Sequence, residues 1–459
     1  MCGLRNGTCG NREKFRAVGS VLARPESRHD SGIPRCASHL RSTALCSARF
    51  RPKGHLITVA LLVSSYYYTM MSGQLGTRLV HGGTSPDKET GAILTPITMS
   101  TTFVQESVDQ YLAKGYSYSR SGNPTVAAYE RRLTAVEGGV GAAAFSTGMA
   151  ATATSICAFM KAGDHAVITE CSYGGTNRIM RMLFQDMGME FTFVDFKKVE
   201  LVDKAVRPGQ TKVVFSESPA NPLLELNDIQ AISEVAKKHN LIHICDSTFA
   251  TPVICRPLEL GADVTLQSTT KYFDGHDMTT GGALICANQT HLERILFVRN
   301  MLGNIMDPMT AFLQLQTCKT MQIRVWKQSQ TALEIAKFLE AHSKVTKVVY
   351  PGLASFPQKA LADKQHKDGL HGGMLWFEIQ GGSDAGTKLM NCIQRPWSLC
   401  ENLGATESII TACAVMTHSN MLKADRIKLG ITDGFIRVSC GVEDVLDLIR
   451  ALDHALNTL

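Results

Sequence analysis

The spacing of apolar and polar positions changes several times along the chain and outlines its elements. Between residues 142 and 287 short apolar runs recur, at 142–145 (AAAF), 165–170 (HAVITE), 191–195 (FTFVD), 212–217 (KVVFSE), 241–245 (LIHIC), 263–267 and 282–287. Runs this short, with no regular polar face, predict strands buried on both sides. Helical spacing fills most of the gaps. Val126, Tyr129, Leu133 and Val136 fall on one helical face that Asn123 would cap and Pro124 would begin, with Gly138 and Gly139 ending it. Ile229, Ile232, Val235 and Ala236 mark a second such face within 227–239. Residues 72–120 are punctuated by Gly, Pro, Ser and Thr and read as loop. A long helical stretch at 307–341 leads into a second alternating region at 345–459.

Strand–helix alternation of this kind predicts an α/β fold: a large, mainly parallel sheet covered on both faces, followed by a smaller C-terminal α/β domain. Ligands of such sheets bind beyond the carboxyl ends of the strands. The polar residues at those ends are Tyr173, Ser218 to Asn221, Asp246 to Thr248, and Ser268 to Lys271.

Composition narrows the class. The 459 residues are 44% hydrophobic and 19% charged, ordinary for a globular chain with a large core. The net charge of +6 resides at one end: residues 1–70 carry 11 Lys/Arg against 3 Asp/Glu, and the rest 36 against 38. A body this close to neutral gives no footprint for nucleic acid. The Arg- and Ser-rich segment 1–70 fits an organellar presequence, or an upstream extension with Met70 or Met71 as the start. Its apolar run at 56–63 is too short to span a bilayer, so no membrane partner is expected. The 14 cysteines form no CxxC pair, and several sit inside apolar runs. That usage suggests small buried side chains in a reducing compartment, without a disulfide framework or a structural metal. A cytoplasmic location is expected for the body, with an organelle as the alternative if residues 1–70 direct it.

The candidate chemistry gathers around Lys271, at the end of a strand-like run and after three hydroxyl residues, Ser268, Thr269 and Thr270. Burial strips an ammonium of its hydration and favours the neutral, nucleophilic amine, the form that makes Schiff bases with carbonyls. A surface lysine is the plain alternative. Pyridoxal phosphate requires an amine, an acid for its ring nitrogen, a phosphate cradle and a stacking aromatic. Lys271, Asp246, the 146–151 loop (STGMAA) with Gly148 and Met149 opening a helix, and Tyr173 supply these. Arg437, inside an apolar strand, requires an anion, either a structural carboxylate or a substrate one. Two motifs are rejected. The run at 139–144 (GVGAAA) mimics a dinucleotide fingerprint but follows a helix and enters a strand. Ser268 to Lys271 mimics an acyl-transfer S-x-x-K without its companion motifs.

Ten ordered segments then carry a resemblance: YSRSGNPT (118–125 with its lead-in), STGMAA (146–151), YGGTNR (173–178), ESPANP (217–222), DSTFATP (246–252), STTKY (268–272), GHDMTTGG (275–282), TES (406–408), MTH (416–418) and IRVSCGVED (436–444). From about residue 75 onward the chain resembles the Cys/Met-metabolism family of pyridoxal-phosphate enzymes. The resemblance implies a fold type I architecture. It divides the chain into residues 1–70 as leader, 71–130 as an arm serving a neighbouring subunit, 131–325 as the large cofactor-binding domain and 326–459 as the C-terminal domain.

By the same resemblance, Lys271 anchors pyridoxal 5′-phosphate and serves as general base, and Asp246, with Thr248 beside it, holds the ring nitrogen. Tyr173 stacks on the ring, and Gly148, Met149, Ser268 and Thr270 hold the phosphate. Tyr118 and Arg120 match residues that reach the phosphate from a second copy, implying a dimer at least and a tetramer as the usual assembly. Arg437, assisted by Asn221 and Ser408, grips the substrate's α-carboxylate. Glu407 and Arg178 face its distal end, and Tyr118 or Tyr173 assists as acid–base. The implied activity is γ-elimination of L-cystathionine to L-cysteine, 2-oxobutanoate and ammonia. Gamma-replacement on an activated homoserine is the alternative, with serine acyl transfer through Ser268 and Lys271 a remote second one.

Overall fold

The computed structural model describes residues 73–416 and 422–459. The expected leader, with both candidate start methionines, and Thr417 and His418 of the MTH segment lie outside the described residues.

Seven strands form the larger sheet: β1 (Gly141–Phe145), β2 (His165–Thr169), β3 (Glu190–Val194), β4 (Thr211–Glu217), β5 (Ile242–Asp246), β6 (Val264–Gln267) and β7 (Gly282–Cys286). Their order across the sheet is β1-β7-β6-β5-β4-β2-β3. From β6 to β3 every pairing is parallel, while β7 runs antiparallel to both β1 and β6. The apolar runs are continuous because both faces are covered. Ala142 and Ala144 join one core with Val126, Tyr129, Leu133 and Val136 of the helix Pro124–Glu137. Ala143 and Phe145 turn to the other, with Ala151 and Ile156 of the helix Gly148–Phe159. Val167 and Val214 pack against Ile232, Val235 and Ala236 of the helix Ile229–Lys238.

Local signals place the helix ends. Asn123 accepts from the N–H groups of Thr125 and Val126, at 2.9 and 3.4 Å, with Pro124 as the first helical residue. The stretch read as loop from 72 contains one unexpected helix, Leu75–His81. Its last carbonyls are satisfied from far along the chain: the buried Arg132 guanidinium donates to the carbonyls of Leu79, Val80 and Gly82. Nothing local marks such a cap.

The long helical stretch is two helices, Pro308–Thr317 and Met321–Ala341, joined by a 3-10 turn at Cys318–Thr320. Beyond them lies the second sheet, β8 (Val345–Val349), β9 (Met374–Ile379), β10 (Ser398–Leu399), β11 (Ile409–Ala412) and β12 (Phe435–Ser439), in the order β10-β11-β12-β9-β8. Apart from the β10–β11 pair it is antiparallel. Its strands alternate in the two-residue period of a sheet. Leu375, Phe377, Ile436 and Val438 pack against Ile335 and Leu339 of one helix and Leu448 and Leu452 of another, Val445–Leu456. Phe435 and Trp376 stack on the opposite face, ring centroids 4.5 Å apart, and the Trp376 indole donates to the Leu223 carbonyl at 2.8 Å. That face therefore meets the larger sheet's loops and carries Arg437 with it. Among the described residues no helix is long and apolar enough to cross a membrane, and Cys245, Cys255, Cys286, Cys318 and Cys440 are buried as free thiols.

Candidate active site

The carboxyl ends of β2, β4, β5 and β6 open onto a cavity of about 1230 Å³, roofed by residues from the second sheet. Gly148, Met149, Tyr173, Arg178, Asn221, Asp246, Thr248, Ser268, Thr270, Lys271 and Arg437, all singled out from the sequence, line it.

Lys271 follows β6 within a turn whose N–H and carbonyl groups are tied to Ser268 and Gly275. Burial, and secondarily the Arg437 cation, lower its ammonium from the ordinary lysine range to about 8, with the Asp277 carboxylate opposing them. The amine is thus available near neutral pH. Asp246 ends β5. Its Oδ1 accepts from the Thr248 hydroxyl at 2.6 Å and the Thr248 N–H at 3.0 Å, and Thr248 in turn accepts from the Ser268 N–H at 2.8 Å. Burial raises its carboxyl to about 6 despite those bonds. A protonated ring nitrogen beside it would favour the anion, and the anion would keep that nitrogen protonated.

Glu217, missed in the sequence, ends β4 directly opposite Asp246 in the strand register and lines the same cavity. Its two oxygens accept from the N–H groups of Tyr173 and Asn221, each at 2.8 Å. One buried carboxylate therefore fixes the loops after both β2 and β4. Burial and the neighbouring Asp246 charge push Glu217 well above the usual carboxylate range.

The phosphate cradle is a close approach of two segments. Thr147 caps the helix Gly148–Phe159 by accepting from the Ala150 N–H at 3.0 Å. The first N–H groups of a helix have no intrahelical acceptor, and its dipole favours an anion there. A Cβ on Gly148 would stand 2.8 Å from the Ser268 hydroxyl, so glycine alone leaves that corner open. Gly175 is comparable: a Cβ there would meet the Tyr173 ring at 2.4 Å. The amine, the acid, the open helix end and the half-exposed Tyr173 ring share one cavity, so the residues present fit pyridoxal 5′-phosphate.

Arg437 is only 5% exposed, yet no carboxylate pairs with it among the described residues. Its guanidinium reaches the Asn221 amide oxygen at 3.3 Å and the Glu401 carbonyl at 3.4 Å, both long and neutral contacts. Of the two anions the sequence left open for it, the structural carboxylate is not found there.

Two expected residues, Ser408 and Glu407, are not brought to the cavity. Ser408 is occupied elsewhere: its N–H and hydroxyl both donate to Glu443, at 2.6 and 2.8 Å, and its oxygen accepts from the Gly441 N–H at 2.8 Å. Glu407 is exposed and accepts from the Thr406 hydroxyl. The buried turn at Leu403 to Ala405 carries the chain past the site, so the other glutamate of the same segment, Glu401, lines the cavity instead. Tyr118 and Arg120, expected to serve a second copy's site and not this one, lie exposed, with Arg120 donating to the Asn300 carbonyl and side chain at 2.9 Å. Beyond Glu217 and Glu401, the sequence reading also missed Asn402, which accepts from the Lys271 ammonium at 2.5 Å.

Residues 76–457 match the family model for Cys/Met metabolism PLP-dependent enzymes. The chain belongs to that family. A cystathionine beta-lyase of Coxiella burnetii is 42% identical over 384 residues, covering 83% of this chain and 97% of that protein. A cystathionine gamma-lyase of Bacillus subtilis is 40% identical, covering 83% and 99%. The solved structure of cystathionine gamma-lyase from Lactobacillus plantarum complexed with L-serine superposes with a TM-score of 0.80 at 37% identity, covering 84% of this chain and 99% of that one. Family membership establishes pyridoxal 5′-phosphate as the cofactor and the fold as that of the PLP-dependent cystathionine lyases and synthases. It also makes the chain an enzyme of Cys/Met amino-acid metabolism.

Proposed function

We propose that the protein is a carbon–sulfur lyase that cleaves L-cystathionine by γ-elimination, releasing L-cysteine, 2-oxobutanoate and ammonia. The observation that carries this reading is the buried Arg437 guanidinium, which shares the cavity with Lys271 and has no described carboxylate partner. A substrate α-carboxylate would complete it through two charge-assisted bonds, with Asn221 alongside. That grip would fix the Cα–H bond relative to the Lys271 amine. The bound cofactor supplies an electron sink for the charge left on the α-carbon. Lys271, neutral above a pH of about 8, takes the α-proton and afterwards a β-proton. Asp246 holds the sink in its protonated form, and Tyr173 is placed to assist proton transfer to the departing sulfur.

Cystathionine carries a second amino-acid head, and the outer part of the cavity suits one. Glu401 would face the distal ammonium, and Arg178 with Lys428 the distal carboxylate. Tyr118 and Arg120 belong to this reading as a second copy's contribution, which makes the dimer the smallest complete unit and the tetramer the expected assembly.

The resemblance to the Coxiella beta-lyase favours one other reading, in which the bond on the far side of sulfur is cut. Product analysis separates the two. Incubation with cystathionine should yield cysteine and 2-oxobutanoate. Homocysteine and pyruvate would establish β-cleavage instead. Formation of cystathionine from cysteine and an activated homoserine ester, without cleavage, would establish a synthase.

A further inference from the structure

The Lys271 side chain does not end in open space. Its ammonium donates to Oδ1 of Asn402 at 2.5 Å, and Nδ2 of the same amide donates to Oδ1 of Asp277. Asn402 lies in the turn before β11, and Asp277 in the loop that follows Lys271. An amide can be turned either way, but these neighbours force the choice. An ammonium only donates and an ionised carboxylate only accepts. The NH2 must face Asp277, which turns the carbonyl oxygen toward Lys271. Asp277 takes this place with a φ of 55°, in the left-handed region that aspartate enters more readily than most residues.

We infer that Asp277 is a positioning residue: through Asn402 it aims the acceptor that receives the Lys271 amine whenever that amine is not bonded to the cofactor. A general base that is released and recaptured in each turnover requires a defined resting place, because a freely rotating lysine would lose the geometry on which proton transfer depends. Asp277 also offsets the Arg437 cation, which disfavours charge on the same amine. The other acidic and basic side chains lining the cavity are Glu170, Glu217 and Asp246 at the ends of β2, β4 and β5, Arg178 and Arg181 beyond β2, Glu401 beside Asn402, and Lys428.

The inference rests on Lys271 being the lysine that takes the cofactor, and the test separates the two claims. The full chain is stripped of cofactor, given pyridoxal phosphate, and followed by the return of visible absorbance across pH. Only the neutral amine attacks, so the wild-type rate should rise with pH about a midpoint near 8. A Lys271→Ala chain should form no borohydride-stable adduct at the site; an adduct there would overturn the Lys271 assignment itself. Asp277→Asn removes the carboxylate and frees the Asn402 amide to turn, so the midpoint should fall by ~0.5 pH. The exchange Asp277→Asn with Asn402→Asp places a carboxylate directly on the amine, held from outside by the new amide. Its midpoint should rise above wild type. A purely structural role would slow uptake without moving either midpoint. Midpoints equal to wild type in the exchanged chain, with its unfolding temperature retained, overturn the role of Asp277 even if the single variant does not fold.

Discussion

The two sheets deliver chemistry to the cavity by different routes. The larger one is parallel through β6, β5, β4, β2 and β3, so its strands end together, and Glu217, Asp246 and the segment to Lys271 leave those ends in a row. The smaller one is mostly antiparallel and has no common end. It contributes Arg437 from within a strand, and Glu401 and Asn402 from a connection. Parallel strands gather residues by topology alone. An antiparallel sheet does so only through which face it turns toward its neighbour.

This division can be broken by experiment: the larger sheet should govern the cofactor and the smaller one the substrate. The largest effect is expected from Asp246→Asn, which keeps an acceptor for Thr248 but removes the charge. Loss of a preorganised electrostatic group should lower kcat by on the order of 10²–10³, with an altered visible spectrum. An unchanged spectrum and kcat would remove Asp246 from the cofactor's partners. Arg437→Ala should leave the cofactor spectrum intact and raise KM by roughly 10–100-fold, the worth of ~1.5–3 kcal/mol in charge-assisted bonds. Loss of bound cofactor with an unaltered KM would reverse the assignment of the two sheets. The smallest effect distinguishes two nearby glutamates. Glu401→Gln should weaken kcat/KM for cystathionine a few-fold, as expected of an exposed charge, with Glu407→Gln indistinguishable from wild type. The opposite ranking would restore the residue favoured by the sequence.

What was legible in the sequence follows the same line. Apolar runs at 165–170, 212–217 and 241–245 marked buried parallel strands, and a parallel sheet converts strand ends into a site without further information. Lys271, Asp246, Tyr173 and Gly148 could therefore be placed together from order along the chain. Glu217 had the same signal, a polar residue closing an apolar strand, and could have been found by it. The helix Leu75–His81 could not, because its cap is Arg132, more than fifty positions away.

The sequence by itself determined the fold class, the family and the cofactor-facing side of the cavity. The fold class and that side of the cavity follow from local periodicity and from residues at fixed offsets from strand ends, and the family from ten ordered motifs. Tertiary structure alone decided that Arg437 lacks a described carboxylate partner, that Ser408 is spent on Glu443, and that Glu401 rather than Glu407 lines the cavity. It also set Asn402 against Lys271, 131 positions apart. Each of these depends on how one sheet is turned against the other, and a linear pattern encodes which face of a strand is buried but not what it is buried against.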